Sequence, residues 1–94
     1  MTEKQAATAP FDPPDDDAPL SDDEFERGLG AMLARKARNA TGLTQAAFAE
    51  RYGIPVASLR DWEQGRRAPD GAASSYLLVI SRMPDAVAQA LRAA

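Results

Sequence analysis

Residues 42–67 leave this chain few ways to fold, and they read GLTQAAFAERYGIPVASLRDWEQGRR. Thr44 suits a helix N-cap, Gly53 suits a left-handed helix stop, and Pro55 suits the first position of a new helix. Two short helices joined by a tight, glycine-containing turn are typical of the helix-turn-helix unit, whose second helix enters the major groove of DNA. The sequence therefore predicts a helix-turn-helix over residues 44–64.

A longer helix is expected before this unit. Ser21 and Glu24 have the spacing of a capping box, and apolar residues then recur at helical spacing. Gly28 and Gly30 each weaken a helix by about 1 kcal/mol relative to alanine. We therefore expect only partial helicity over residues 21–30 and a firmer helix from about 29 to 40. The apolar stripe of this helix consists of Phe25, Leu29, Met32 and Leu33.

The remaining segments complete an all-α fold of about five helices, with no predicted strand. Asp70 suits the N-cap of a fourth helix over roughly residues 71–82, and Pro84 opens a fifth. With 94 residues the chain is expected to hold one small domain, residues 21–94. The expected core of the helix-turn-helix consists of Leu43, Phe48, Ala49, Ile54, Leu59 and Trp62.

Charge divides the chain into two unlike parts. Residues 1–26 carry nine acidic residues and one lysine, a net charge of −8, whereas residues 27–94 carry ten basic and five acidic residues, a net charge of +5. Residues 1–20 are also rich in proline and poor in apolar side chains, so we expect a disordered acidic N-terminal arm. The net charge of −3 therefore averages an acidic arm and a basic domain.

Several function classes are disfavoured by composition. The chain contains no cysteine and no histidine, which removes thiolate and imidazole ligands and the common nucleophile–base pairs. Glu50 and Glu63 are interpreted as helix-surface or capping groups, so we expect no enzyme, cofactor or metal. The longest aliphatic run, residues 77–80, is far shorter than a membrane span, and no signal-peptide pattern is visible. The sequence predicts a cytoplasmic protein outside the membrane.

The segment around the helix-turn-helix resembles the lambda-repressor-like (Xre-type) DNA-binding family. The resemblance covers roughly residues 29–92, and its continuation, Pro69-Asp70-Gly71 with Leu77-Leu78, resembles antitoxins of the HigA and MqsA kind. It implies a five-helix lambda-repressor-like domain. The residues that carry it are Thr44-Gln45-x-x-Phe48-Ala49, Gly53-Ile54 and Leu59-x-x-Trp62-Glu63-Gln64-Gly65-Arg66-Arg67-x-Pro69.

The resemblance implies a set of DNA contacts. Gln45 matches a residue that touches the DNA backbone, and Arg60 is the best candidate to grip guanine O6 and N7. Many family members start the recognition helix with a Ser or Thr cap and an adenine-reading Gln, whereas this chain has Pro55-Val56-Ala57. The alternative for the charged residues Arg60, Asp61, Arg66 and Arg67 is that they are exposed to solvent and contact no ligand. The full set of implied contacts is Gln45, Val56, Ala57, Ser58, Arg60, Asp61, Arg66 and Arg67, the last two holding phosphates.

A second copy of the chain is also expected as a partner. A single helix-turn-helix makes a short contact, so a symmetric homodimer on near-palindromic double-stranded operator DNA is predicted, with its surface on helices four and five. Alternatively, Tyr76 and Val79 only cover the domain's own core. The predicted dimer residues are Tyr76, Val79, Val87 and Leu91.

The acidic arm suggests a basic partner. In the resembling antitoxins a flexible segment or helix wraps a small toxin that cleaves RNA, which implies an antitoxin that binds such a toxin and represses its own operon. A free-standing Xre-type transcriptional regulator, whose arm contacts polymerase or only solubilises, is the alternative. The implied toxin contacts are Phe11, Asp15, Asp16, Asp17, Leu20 and Phe25, with Asp22 and Asp23 as further charge partners.

Overall fold

The computed structural model describes residues 20–93, which form five α-helices and, within that range, no β-strand. The all-α, five-helix helix-turn-helix fold expected from the sequence is confirmed. The expected N-terminal arm, apart from Leu20, lies outside the described residues, as does Ala94. No helix in the described part of the chain is long and apolar enough to cross a membrane. The helices are α1 (Asp22–Thr41), α2 (Gln45–Tyr52), α3 (Val56–Glu63), α4 (Gly71–Arg82) and α5 (Pro84–Ala93).

Helices α2 and α3 form the helix-turn-helix at the predicted place. The Thr44 hydroxyl accepts a hydrogen bond from the Ala47 N–H at 3.1 Å, which caps α2. Gly53 ends α2 with a left-handed φ of 71°, a conformation that side chains with a Cβ rarely adopt. Pro55 was predicted at the first helical position but is the N-cap of α3, so the helix begins one residue later, at Val56. No side chain caps this helix.

Helix α1 is one continuous helix of 20 residues, which corrects the expectation of partial helicity over residues 21–30. The Ser21 hydroxyl accepts from the Glu24 N–H at 3.1 Å, and the Ser21 N–H donates to the Glu24 carboxylate at 3.0 Å. The hydrogen bond from the Ser21 backbone N–H to the carboxylate lowers the pKa of Glu24. A closed capping box and three acidic residues in the first turn favour the helix N-terminus and offset the cost of the glycines.

The small residues of α1 face the core, and most of its large apolar residues face solvent. Gly30 is buried because the loop before α4 comes very close: a Cβ at this position would lie 2.4 Å from Pro69 Cδ. Of the predicted apolar stripe, only Leu33 packs against the core. The exposed fractions of the other three are 55% for Phe25, 45% for Leu29 and 61% for Met32.

A compact apolar core lies between the helices. The predicted core of the helix-turn-helix is confirmed: five of its six residues are buried and Leu43 is partly buried against them. Two tyrosine hydroxyls tie α2 to the C-terminal helices: Tyr52 donates to the Pro84 carbonyl at 2.9 Å, and Tyr76 donates to the Tyr52 carbonyl at 2.6 Å. The largest fully buried side chains are Phe48, Leu59, Leu77 and Ile80.

Candidate nucleic-acid interface

Helix α3 has one side in the core and the opposite side in solvent. Its buried residues are Leu59, Trp62 and Glu63. Ala57 and Arg60 are exposed, one helical turn apart. The core therefore fixes the orientation of α3, and its outer side is free to enter a groove.

Arg60 is one of the predicted base-reading residues that the fold leaves exposed. Within residues 20–93 its guanidinium has no hydrogen-bond or ion-pair partner. Val56, by contrast, is partly buried and packs against the core, whereas Ala57 is exposed. The structure therefore leaves Arg60 able to make the paired hydrogen bonds that distinguish guanine.

Asp61 holds the two loop arginines beside α3. Arg67 Nε donates to Asp61 Oδ2 at 3.2 Å, and Arg67 Nη2 donates to the Ser58 hydroxyl at 3.3 Å. Arg66 Nη1 lies 3.7 Å from Asp61 Oδ1, and the Arg66 N–H donates to the Asp61 carbonyl at 2.9 Å. Both arginine side chains remain more than half exposed. Exposed ion pairs of this kind contribute roughly 0–1 kcal/mol, so a phosphate can compete for the guanidinium groups.

A buried carboxylate lies under the helix-turn-helix. Arg38 Nε donates to Glu63 Oε2 at 2.7 Å, and Arg38 Nη2 donates to Glu63 Oε1 at 2.9 Å. Gln45 Nε2 donates to Glu63 Oε1 at 3.2 Å, and Arg38 Nη1 also reaches the Leu43 carbonyl at 3.1 Å. Glu63 is only 4% exposed, so its interpretation as a surface or capping group is wrong.

The ionised form of Glu63 is the stable one in the fold. Burial by itself would raise the pKa of Glu63, but hydrogen bonds from Arg38 and Gln45 outweigh it and the pKa is lowered. The hydrogen bond to Glu63 correspondingly raises the pKa of Arg38. A charged pair therefore joins α1 to α3, and the amide of Gln45 adds α2 to the same contact.

Gln45 is therefore part of the scaffold as well as a predicted DNA contact. Its amide uses one N–H on Glu63 and retains a second N–H and the carbonyl oxygen. The side chain is half-buried at the first position of α2. Contact between Gln45 and a phosphate stays a prediction.

Two residues of this region, one supporting the surface and one on it, were not predicted from the sequence. Arg38 pairs with Glu63 from 25 positions away in sequence, and no local pattern points to such a pair. Gln64 is exposed at the C-cap of α3, one turn beyond Arg60. Helical spacing from Arg60 was the available signal for Gln64.

The predicted dimer residues differ in accessibility. Val79 and Leu91 are 45% and 44% exposed. Tyr76 and Val87 are half-buried and pack against the core of their own domain, and the Tyr76 hydroxyl bonds to Tyr52. A dimer through α4 and α5 stays a prediction.

Only two of the six predicted toxin contacts belong to the described residues. Leu20 and Phe25 are 64% and 55% exposed, next to the acidic first turn of α1. The other four lie outside the described residues: Phe11, Asp15, Asp16 and Asp17.

Residues 35–73 match the protein-family model described as Helix-turn-helix. The matched segment contains all of α2 and α3, and no curated protein and no solved structure matches the chain significantly. The match supports the lambda-repressor-like (Xre-type) resemblance, and it does not extend to the antitoxins. Together with the fold, the match supports a DNA-binding transcription regulator built on a helix-turn-helix.

Proposed function

We propose that the protein is a sequence-specific repressor that binds a near-palindromic operator through α3. The observation that carries this proposal is the outer side of α3, where Arg60 is exposed and unpaired within residues 20–93. A guanidinium in the major groove can donate to guanine O6 and N7 together, which no other base accepts in the same way. Arg60 is therefore the proposed reader of sequence.

Arg66 and Arg67 have a different role in this proposal. They lie in the loop after α3 and are held beside it by Asp61. Contacts from arginine to phosphate position a protein on DNA without reading its sequence, and they make binding depend on salt. These two arginines therefore set affinity, and Arg60 sets the choice of site.

The Arg38–Glu63 pair supports the site without touching DNA. It joins α1 to the C-terminal end of α3 and, through Gln45, to the first turn of α2. A recognition helix must keep a fixed angle to its partner helix if several side chains are to meet base edges at once. The buried pair therefore maintains the orientation on which readout by Arg60 depends.

Selection from random-sequence duplex DNA by the full chain tests this function. We expect repeated rounds to enrich a short motif that contains a guanine at a fixed position and is repeated with inverted symmetry. Recovered sequences that stay indistinguishable from the input pool would contradict the proposal.

A second candidate adds a protein partner. Exposed apolar Leu20 and Phe25 beside acidic Asp22 and Asp23 favour a surface for a basic protein. In this candidate the protein is an antitoxin that neutralises a small RNA-cleaving toxin and represses the shared operon. The alternative is a free-standing regulator without a toxin partner.

Co-purification with the product of an adjacent gene tests the second candidate. Removal of residues 1–20 should abolish toxin binding and leave operator binding intact, because the proposed DNA contacts all lie in residues 45–67. Undiminished toxin affinity after the deletion would contradict a role for the arm.

A further inference from the structure

Helix α1 presents an apolar stripe that nothing in residues 20–93 covers. We call Phe25, Leu29 and Met32 the α1 stripe; the three are 55%, 45% and 61% exposed. Their spacing of four and three residues places them on one helix face, opposite the buried side that contains Ala34 and Ala37. Adjacent large apolar side chains on an exposed face typically mark an interaction surface.

We propose that the α1 stripe pairs with the α1 stripe of a second copy, in antiparallel orientation, about a two-fold axis at Leu29. The stripe is nearly symmetric about this residue, because Phe25 lies four residues before it and Met32 three residues after it. An antiparallel pair therefore places Leu29 against the partner's Leu29 and Phe25 against the partner's Met32. Each apolar side chain meets an apolar side chain, as a symmetric interface requires.

The charges on α1 favour the antiparallel orientation. Its first turn contains Asp22, Asp23 and Glu24, and its second half contains Arg35 and Lys36. Asp22 lies seven residues before Leu29 and Lys36 seven residues after it, so antiparallel pairing brings Asp22 to the partner's Lys36 and Glu24 close to the partner's Arg35. Parallel pairing would place acid against acid. Opposite charges beside an apolar helix seam determine orientation in paired helices.

Space for the partner's side chains exists beside the stripe. An open groove next to Met32 lies between α1 and the end of α3, and its lining includes Gly28, Arg35, Gln64 and Gly65. No atom lies within 4 Å of the place where a Cβ on Gly28 would be. In the antiparallel register the partner's Phe25 lies over this groove.

A second copy matches this surface better than the chain's own arm does. Between residues 2 and 19 the arm offers Phe11 as its single large apolar side chain, whereas a second copy offers all three residues of its own stripe. The paired segment from Asp22 to Lys36 is about 21 Å long, at 1.5 Å rise per residue. Since only three apolar side chains per chain take part, the dimer is expected to be weak in free solution and to be strengthened when two half-sites bind both copies.

Sedimentation velocity of the full chain over a range of concentrations, without DNA, tests the pairing independently of the proposed function. Leu29→Glu places two carboxylates at the axis and should weaken dimerisation at least tenfold, while circular dichroism stays unchanged because Leu29 is 45% exposed. Val79→Glu tests the alternative dimer surface on α4 and α5. Val79 is also 45% exposed, so this variant should leave the dimer intact if the α1 stripe forms it. A wild type that stays monomeric, or dissociation by Val79→Glu but not by Leu29→Glu, would overturn the proposal.

Charge reversal tests the antiparallel register. Asp22→Lys and Lys36→Glu should each weaken the dimer several-fold, because each creates like charges across both symmetric contacts. The double variant restores opposite charges and should recover most of the wild-type affinity. A double variant that dimerises no better than the single variants would overturn the register.

Discussion

At Glu63 three helices meet through one carboxylate. Arg38 in α1 donates two hydrogen bonds to it and Gln45 in α2 donates one, while Glu63 itself is the last residue of α3. An ionised carboxylate is costly to bury unless donors of this kind replace its water. The pair is therefore a point where loss of a single charge would loosen the whole helix-turn-helix.

Glu63→Gln should lower the free energy of unfolding at neutral pH by about 1.5–3 kcal/mol, because Arg38 loses its charged acceptor. The folded state lowers the pKa of Glu63 below its ordinary value of 4.5, so its contribution is full above that pH and is lost as the pH falls through the folded-state pKa. The difference between wild type and variant should therefore shrink in acid.

Urea unfolding of wild type and Glu63→Gln at neutral pH and below the ordinary carboxyl pKa measures this difference. Glu50→Gln is the matched control, since Glu50 is exposed on α2 and should change stability little at either pH. A variant as stable as wild type at neutral pH would contradict a structural role for the pair.

At the scale of the elements, the packing of α1 depends on one small residue. A Cβ on Gly30 would lie 2.4 Å from Pro69 Cδ, whereas a Cβ on Gly28 would meet nothing within 4 Å. Gly30→Ala should therefore destabilise the domain by about 1–3 kcal/mol through overpacking. Gly28→Ala should stabilise it by up to about 1 kcal/mol through helix propensity.

Thermal unfolding of the two variants at low protein concentration compares these positions directly, because both substitutions add the same methyl group to the same helix. A Gly30→Ala variant at least as stable as Gly28→Ala would show that the loop before α4 moves aside freely.

The sequence predicted elements whose signals are local and missed contacts between distant residues. Thr44, Gly53 and Asp70 each act within a few residues of their own position, so the ends of α2 and the start of α4 were predictable. The burial of Gly30 depends on Pro69, and that of Glu63 depends on Arg38, and neither partner is visible in a local pattern. Periodicity predicted an apolar stripe on α1, but of its four residues only Leu33 packs against the core, and the buried side of the helix consists of Gly30, Ala34 and Ala37.

The candidate site likewise contains one feature that was predicted from the sequence and one that was not. The family resemblance was sufficient to predict Arg60 on the outer side of α3, and the structure has this residue exposed. The ion pairs from Asp61 to Arg66 and Arg67 depend on how the loop turns after Gly65, whose φ is 73°. These contacts span at most nine residues, but they depend on the path of the loop, which helical periodicity does not describe.

At the scale of the whole molecule, charge and symmetry separate the proposed functions. The net charge of −3 conceals a basic portion, residues 27–94, that carries the proposed DNA contacts. The α1 stripe and the outer side of α3 share no residue, although Gln64, one turn beyond Arg60, lines the groove beside the stripe. Two copies joined through α1 would present two recognition helices, as a near-palindromic operator requires.

Binding of wild type, Arg60→Ala and Arg66→Ala to a selected duplex and to a scrambled duplex tests the central claim most directly. Arg60→Ala should lose about 1–3 kcal/mol on the selected duplex and little on the scrambled one, because only base readout is removed. Arg66→Ala should weaken binding to both duplexes alike and reduce the dependence on salt concentration by about one phosphate contact. Equal affinity of all three proteins for both duplexes would show that α3 does not read DNA sequence.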